Sequence, residues 1–173
     1  MLNDLLVIGT GISGLTFAIK AAEQSPKLKI TIISKGGISD GNTRYAQGGI
    51  AVVRNLKDDS TGKHVKDTIV AGDGECDNRV VKFVVEEANA RLDELINWGA
   101  EFDMNKEKLD LVMEGGHSEK RIVHYKDQTG KQIQDVLSTK IESFPNINLL
   151  ENHTLVDLIT DHHSIEKKGR CYG

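Results

Sequence analysis

Residues 5 to 33 set a short apolar run against a glycine-rich turn and an amphipathic stretch, an order that few folds accommodate. Leu5–Ile8 is continuously apolar, as expected of a parallel strand covered on both faces. Gly9-Thr10-Gly11-Ile12-Ser13-Gly14 follows without a spacer. Leu15, Ala18, Ile19 and Ala22 then fall on one face of a helix. Ser25-Pro26 stops that helix, because proline disfavours helical geometry in the residue before it. Ile30–Ile33 reads as a second buried strand. The sum is a βαβ unit.

Each glycine of the turn has a mechanical reason. Gly9 permits the tight bend, Gly11 lets a pyrophosphate approach the backbone, and Gly14 lets the helix pack on the strand. The N–H groups and dipole at the helix start attract a diphosphate, so a dinucleotide is the expected ligand. One expected feature is missing. The acid that normally holds the adenosine ribose has no counterpart at Ser34-Lys35. That weakens a nicotinamide dinucleotide as the ligand and leaves the Ser34 hydroxyl to take the ribose. Lys35 is either a solvated strand end or a contact to the ribose and phosphate region.

Further along, a helix is expected near His64–Ala71. Asp77 caps a long helix through about Trp98, with Val80, Val81, Val84, Ala88, Leu92, Leu95 and Ile96 as its apolar stripe, read as core packing. Gly99 is its C-terminal stop. Lys120–Tyr125 reads as a strand, and Lys131–Phe144 as a helix with Ile133, Leu137 and Ile141 aligned before Pro145. Ile147–Leu150 and Thr154–Ile159 read as two more strands. The polar stretch from Asp161 looks like a hairpin cut off midway, with His162-His163 solvated.

Composition bears on several partners. With 22 Lys and Arg against 26 Asp and Glu, the net charge of -4 gives no sign of a nucleic-acid partner, which usually calls for a basic face. Cys76 and Cys171 stand far apart without a CxxC pair, which suits a reducing cytoplasm and argues against disulfides or a metal site. No apolar run approaches the roughly 20 residues that cross a bilayer, so no membrane is expected.

The loop Gly41-Asn42-Thr43-Arg44-Tyr45-Ala46-Gln47-Gly48-Gly49-Ile50-Ala51 is rich in glycine and small polar groups, suited to close backbone approach to a flat ring system. His64-Val65-Lys66-Asp67-Thr68 with Ala71-Gly72, then Glu114-Gly115-Gly116-His117-Ser118 with Arg121-Ile122-Val123-His124, then Asp127-Gln128-Thr129-Gly130 follow in order. In that order, from about residue 4 to about residue 160, the segments resemble the L-aspartate oxidase and succinate dehydrogenase/fumarate reductase flavoproteins. The EGGHS and RIVH segments resemble the L-aspartate oxidase branch.

The resemblance implies an α/β, Rossmann-like FAD-binding domain with a parallel sheet, incomplete, of which residues 1–173 form the N-terminal part. The family's substrate-capping and C-terminal helical domains are expected to lie outside the chain. Thr10, Gly11, Ile12 and Ser13 at the turn, Lys35, and Asn42, Thr43, Arg44, Tyr45, Ala46, Gln47, Gly48 and Gly49 in the loop become FAD contacts. Thr154-Leu155, with Asp157-Leu158, resembles the strand whose backbone meets the adenine. Asn42 stands where related enzymes link the flavin through histidine, so FAD is expected to be noncovalent. Glu114 is expected to orient the substrate by meeting its α-ammonium. His117 and His124 read as structural hydrogen-bonding groups.

The implied activity is oxidation of L-aspartate to iminoaspartate in NAD biosynthesis, with oxygen or fumarate as electron acceptor. A fumarate reductase or succinate dehydrogenase flavoprotein, and a catalytically silent nucleotide-binding fragment, remain as alternatives. The chain alone is expected to hold FAD weakly or not at all, to leave L-aspartate unoxidised, and to self-associate through an unpaired sheet edge.

Overall fold

The alternation of strand and helix signals is realised in a computed structural model that describes residues 3–161 and Cys171. In chain order the first elements are β1 (Leu5–Ile8), α1 (Ile12–Gln24), β2 (Ile30–Ile33), α2 (Asn42–Tyr45), β3 (Ile50–Ala51) and α3 (Thr61–Ala71). They are followed by α4 (Asn78–Asn97), β4 (Met104–Asn105), β5 (Lys108–Leu109), β6 (Leu111–Val112), β7 (Ile122–Val123), α5 (Thr129–Glu142) and β8 (Ile147–Leu150). The chain divides into two compact units, one of Met1–Gly41 with Ile141–Gly173 and one of Asn42–Lys140.

The first unit is built on a parallel sheet of order β1-β2-β8, in which Val7 pairs with Ile32 and Ile32 with Leu149. Leu15, Ala18, Ile19 and Ala22 of α1 are all buried, as the 3.6-residue spacing requires. Helix α1 ends at Ser25, whose N–H bonds the Ala21 carbonyl before Pro26. Two expectations fail here. β1 is not covered on both faces: it is the sheet edge, and Leu6 and Ile8 are 47% and 51% exposed. Thr154–Ile159 forms no strand. No neighbouring strand pairs with it among the described residues, and Val156 is 96% exposed. Strand-like composition alone does not make a strand; a ladder needs a partner. Thr160 and Cys171 form one antiparallel bridge. The rest of the expected hairpin, with His162 and His163, lies outside the described residues.

The second unit carries an antiparallel sheet of order β3-β7-β6, and α3 packed on α4. Ser60 caps α3 by accepting from the Lys63 N–H. Asp77 caps α4 by accepting from the N–H groups of Arg79 and Val80. At the other end Ala100 N bonds Leu95 O and Gly99 N bonds Ile96 O, each at 2.9 Å, with Gly99 at φ +108°. That is a Schellman closure, and it explains the glycine. Of the expected stripe only Leu92 and Leu95 are buried, together with Val85, which lies outside it; Val80, Val84 and Ile96 are exposed, and Val80 and Val84 border a cavity of about 290 Å³ with His64, Thr68 and Ala88. Ile133 and Leu137 of α5 are buried as expected, and so is Ile141, which counts with the first unit.

Candidate functional site

In the first unit the glycine turn does what its spacing demands. Gly9 takes φ +103°, a conformation that a side chain resists. A Cβ built on Gly14 would sit 2.2 Å from the Gly9 carbonyl oxygen, so helix and strand are as close as backbone permits. Gly11 is the helix N-cap in extended geometry and supplies no side-chain acceptor to the first turn. Gly41 approaches the same place, its built Cβ falling 3.8 Å from the Gly11 Cα. These features fit a diphosphate: bare backbone at the start of a 13-residue helix.

The neighbouring residues tie the turn to the end of β2. Ser34 is buried, and its hydroxyl lies 3.0 Å from the Thr10 hydroxyl and donates to the Gly37 carbonyl at 3.3 Å. It is a structural link between the turn and the end of β2. Lys35 is exposed beside it, and Thr154 and Leu155 lie exposed after β8.

In the second unit the 42–49 loop begins with the short helix α2 and is held from below. Gly130, second residue of α5, donates its N–H to the Ala46 carbonyl at 2.9 Å. A Cβ on Gly130 would lie 2.0 Å from the Thr43 carbonyl oxygen and 2.6 Å from that of Ala46. A Cβ on Gly49 would lie 2.3 Å from the Val123 carbonyl oxygen. The glycines of both motifs are thus needed for close backbone contact. Arg44 pairs with Asp135 at 3.3 Å, whereas Asn42, Tyr45, Ala46, Gln47 and Gly48 are exposed. Glu114 is brought to this loop: its Oε2 would be 3.9 Å from a Cβ on Gly48. Among the described residues nothing donates to that carboxylate.

Sequence reading missed the polar core beside Glu114. Arg121 is fully buried and donates Nε and Nη2 to the two Asp59 oxygens at 2.8 and 2.7 Å. Its Nη1 donates to Asp67 at 2.6 Å and to His117 Nδ1 at 3.1 Å. His64 lies against His117 with ring centroids 5.6 Å apart and the rings tilted by 60°, and its buried Nδ1 has no hydrogen-bond partner among the described residues. Burial raises the Asp59 and Asp67 carboxyls, but donors outweigh it, chiefly Arg121 for Asp59 and Ser118 with Arg121 for Asp67. Both titrate below the ordinary carboxylate range. Burial first, then the Arg121 cation, pushes the His64 imidazolium down. No group of three or more His, Cys, Asp or Glu among the described residues could hold a metal.

The cluster makes stability depend on pH with one sign. Asp59 and Asp67 bind protons more readily when unfolded, so their contribution is present above about pH 4 and lost as pH falls through their folded values. His64 also binds its proton more readily when unfolded, so its contribution is present above about pH 6.5 and lost below it. Urea unfolding should therefore show a lower midpoint at about pH 5 than at about pH 7.5, and a further drop below about pH 4. His64→Gln should remove the first step. A midpoint that rises between about pH 7.5 and about pH 5 in the wild type, but not in His64→Gln, would contradict the assignment.

The chain is similar to known proteins. A family model described as the FAD binding domain matches residues 4–173. The chain is 42% identical over 164 residues to an L-aspartate oxidase of Yersinia pestis, covering 92% of this chain and 30% of that protein. It is 39% identical over 180 residues to an L-aspartate oxidase of Pseudomonas aeruginosa, covering 99% of this chain and 32% of that one. The chain thus spans about a third of the length of these relatives. Among solved structures, a quinol fumarate reductase variant of E. coli superimposes with a TM-score of 0.88 at 31% identity, over 92% of this chain and 27% of that one. The Sdh1 complex of Mycobacterium smegmatis gives 0.85 at 31% identity, over 91% and 29%. No helix among the described residues is long and apolar enough to cross a membrane. With its glycine turn, parallel sheet and motif order matched over nearly its entire length, the chain belongs to the FAD-binding domain family.

Proposed function

We propose that the chain is the N-terminal, FAD-holding part of an L-aspartate oxidase, which converts L-aspartate to iminoaspartate in NAD biosynthesis with oxygen or fumarate as electron acceptor. The single observation that carries the choice of substrate is the Glu114 carboxylate. It lies exposed beside Gly48 of the loop read as facing the flavin, and no cation pairs with it among the described residues. A carboxylate there attracts an ammonium and repels a dicarboxylate that has none. The relatives named L-aspartate oxidase support the same reading.

The bare backbone of Gly9–Gly14 would take the pyrophosphate, with Lys35 near the ribose and phosphate region. Asn42, Thr43, Arg44, Tyr45, Ala46, Gln47, Gly48 and Gly49 would line the ring system, and Thr154-Leu155 the adenine. FAD, when bound, supplies the two-electron redox chemistry. The protein's own part is to hold the substrate by its α-ammonium at Glu114 and to keep the 42–49 backbone rigid on Gly49 and Gly130. The groups that grip both substrate carboxylates and move the proton would lie in the part of the relatives' length that this chain does not span.

The resemblance to fumarate reductase and succinate dehydrogenase structures favours a second reading, a flavoprotein acting on dicarboxylates. Asn42 separates the covalent members of that group, because an amide cannot form the flavin link. A polypeptide carrying this chain and extended to the relatives' length should release hydrogen peroxide with FAD, oxygen and L-aspartate. After acid precipitation its yellow colour should stay in the supernatant. Turnover with succinate but not L-aspartate would overturn the substrate, and flavin retained in the washed pellet would overturn noncovalent binding.

A further inference from the structure

The turn that carries Glu114 has little of its own to hold it. It runs between β6 and β7, and its middle is Gly115-Gly116, with Gly116 at φ +82°. Two glycines in sequence give the backbone wide freedom. The bond from His117 N to the Glu114 carbonyl, at 3.3 Å, is a long one. The direction of the Glu114 side chain must therefore be fixed from outside the turn.

The C-terminal side of the turn supplies that anchor. Asp59 grips Nε and Nη2 of Arg121 with both carboxylate oxygens, and a planar guanidinium held this way cannot rotate. The direction of Nη1 is then set, and Nη1 is the atom that donates to His117 Nδ1 and to Asp67 Oδ2. The same Asp67 oxygen accepts from Ser118 N at 2.9 Å and Ser118 Oγ at 2.7 Å. Two consecutive residues of the turn, His117 and Ser118, thus trace back to one buried side chain.

We propose that Arg121 is the positioning residue for Glu114: clamped by Asp59, its guanidinium fixes His117 directly and Ser118 through Asp67, and so sets how the Gly115-Gly116 turn presents the Glu114 carboxylate. The consequence for catalysis rests on the reading of Glu114 as the partner of the substrate ammonium. The positioning does not. A second consequence follows from the donor at His117 Nδ1. That nitrogen must be the acceptor, so the neutral ring carries its proton on Nε2.

Nitrogen-15 spectra and amide exchange of the 173-residue chain test both without substrate or flavin, so a failure of the aspartate reading leaves them untouched. The wild type should show His117 as the Nε2–H tautomer and a slowly exchanging Ser118 amide. Arg121→Lys keeps the charge, but one ammonium cannot reach Asp59, Asp67 and His117 together. It should lose the tautomer preference and speed Ser118 exchange about tenfold or more, with the Ile19 amide in α1 unchanged. Should that variant not fold, Asp67→Asn, which leaves the Asp59 grip in place, should speed exchange at Ser118 and keep the His117 tautomer. A wild-type His117 protonated on Nδ1 would overturn the proposal, and so would Ser118 exchange equal in wild type and Asp67→Asn.

Discussion

Gly14→Ala should lower the melting temperature of the chain by roughly 6–12 °C, the equivalent of about 3 kcal/mol for a protein of this size. The added methyl would lie 2.2 Å from the Gly9 carbonyl oxygen and 3.1 Å from its carbon. Those neighbours are backbone, and the backbone belongs to a turn already held at φ +103°. It cannot yield like the tip of a flexible side chain, so α1 must lift from β1. Leu15, Ala18, Ile19 and Ala22 are the buried face of α1 and would lose packing together. Two controls separate sterics from strain. Gly9→Ala meets nothing within 4 Å, so its cost is that of the positive φ alone, about 1–2 kcal/mol. Gly115→Ala meets nothing within 4 Å and has no positive φ, and should shift the melting temperature little. Circular dichroism melts of the three variants give the order. If Gly14→Ala melts with Gly115→Ala, the close approach of helix to strand is not what holds this unit together.

What the sequence made legible was set by local chemistry. The face of α1, the caps of α4 at Asp77 and Gly99, and the end of α5 before Pro145 depend on residues within a few positions of one another. What stayed hidden depended on distant partners. Leu6 and Ile8 look like core until the strand order places β1 at an edge. Thr154–Ile159 has the composition of a strand but no ladder to join. Val85 is buried although Val80 and Val84 are not, a matter of packing and not of periodicity. The bond between the Ser34 and Thr10 hydroxyls, 24 residues apart, is equally beyond any local pattern. At the candidate site, Glu114 was found by its motif, but its support was not. Arg121 meets Asp59 across 62 residues and Asp67 across 54, and no spacing rule joins them. A buried arginine is nonetheless a signal in retrospect, since it obliges carboxylates to gather round it.

Glu114→Gln, in a polypeptide extended to the length of the relatives, should lower kcat/KM for L-aspartate by about 10- to 150-fold, the equivalent of losing one charge-assisted hydrogen bond of roughly 1.5–3 kcal/mol. The substitution keeps size and shape, and the exposed carboxylate has no donor among the described residues to lose, so folding should be unaffected. Its effect should fall on substrates that carry an ammonium. Fumarate has none, and removing a negative charge near its carboxylates reduces repulsion, so fumarate reduction should hold steady or improve. The contrast between the two substrates is the test, because a general disturbance of the 42–49 loop beside Gly48 would harm both. If aspartate oxidation and fumarate reduction fall together, Glu114 supports the loop or meets a group common to both substrates. If neither changes, the ammonium is held elsewhere, and the turn that Arg121 anchors serves some purpose other than substrate choice.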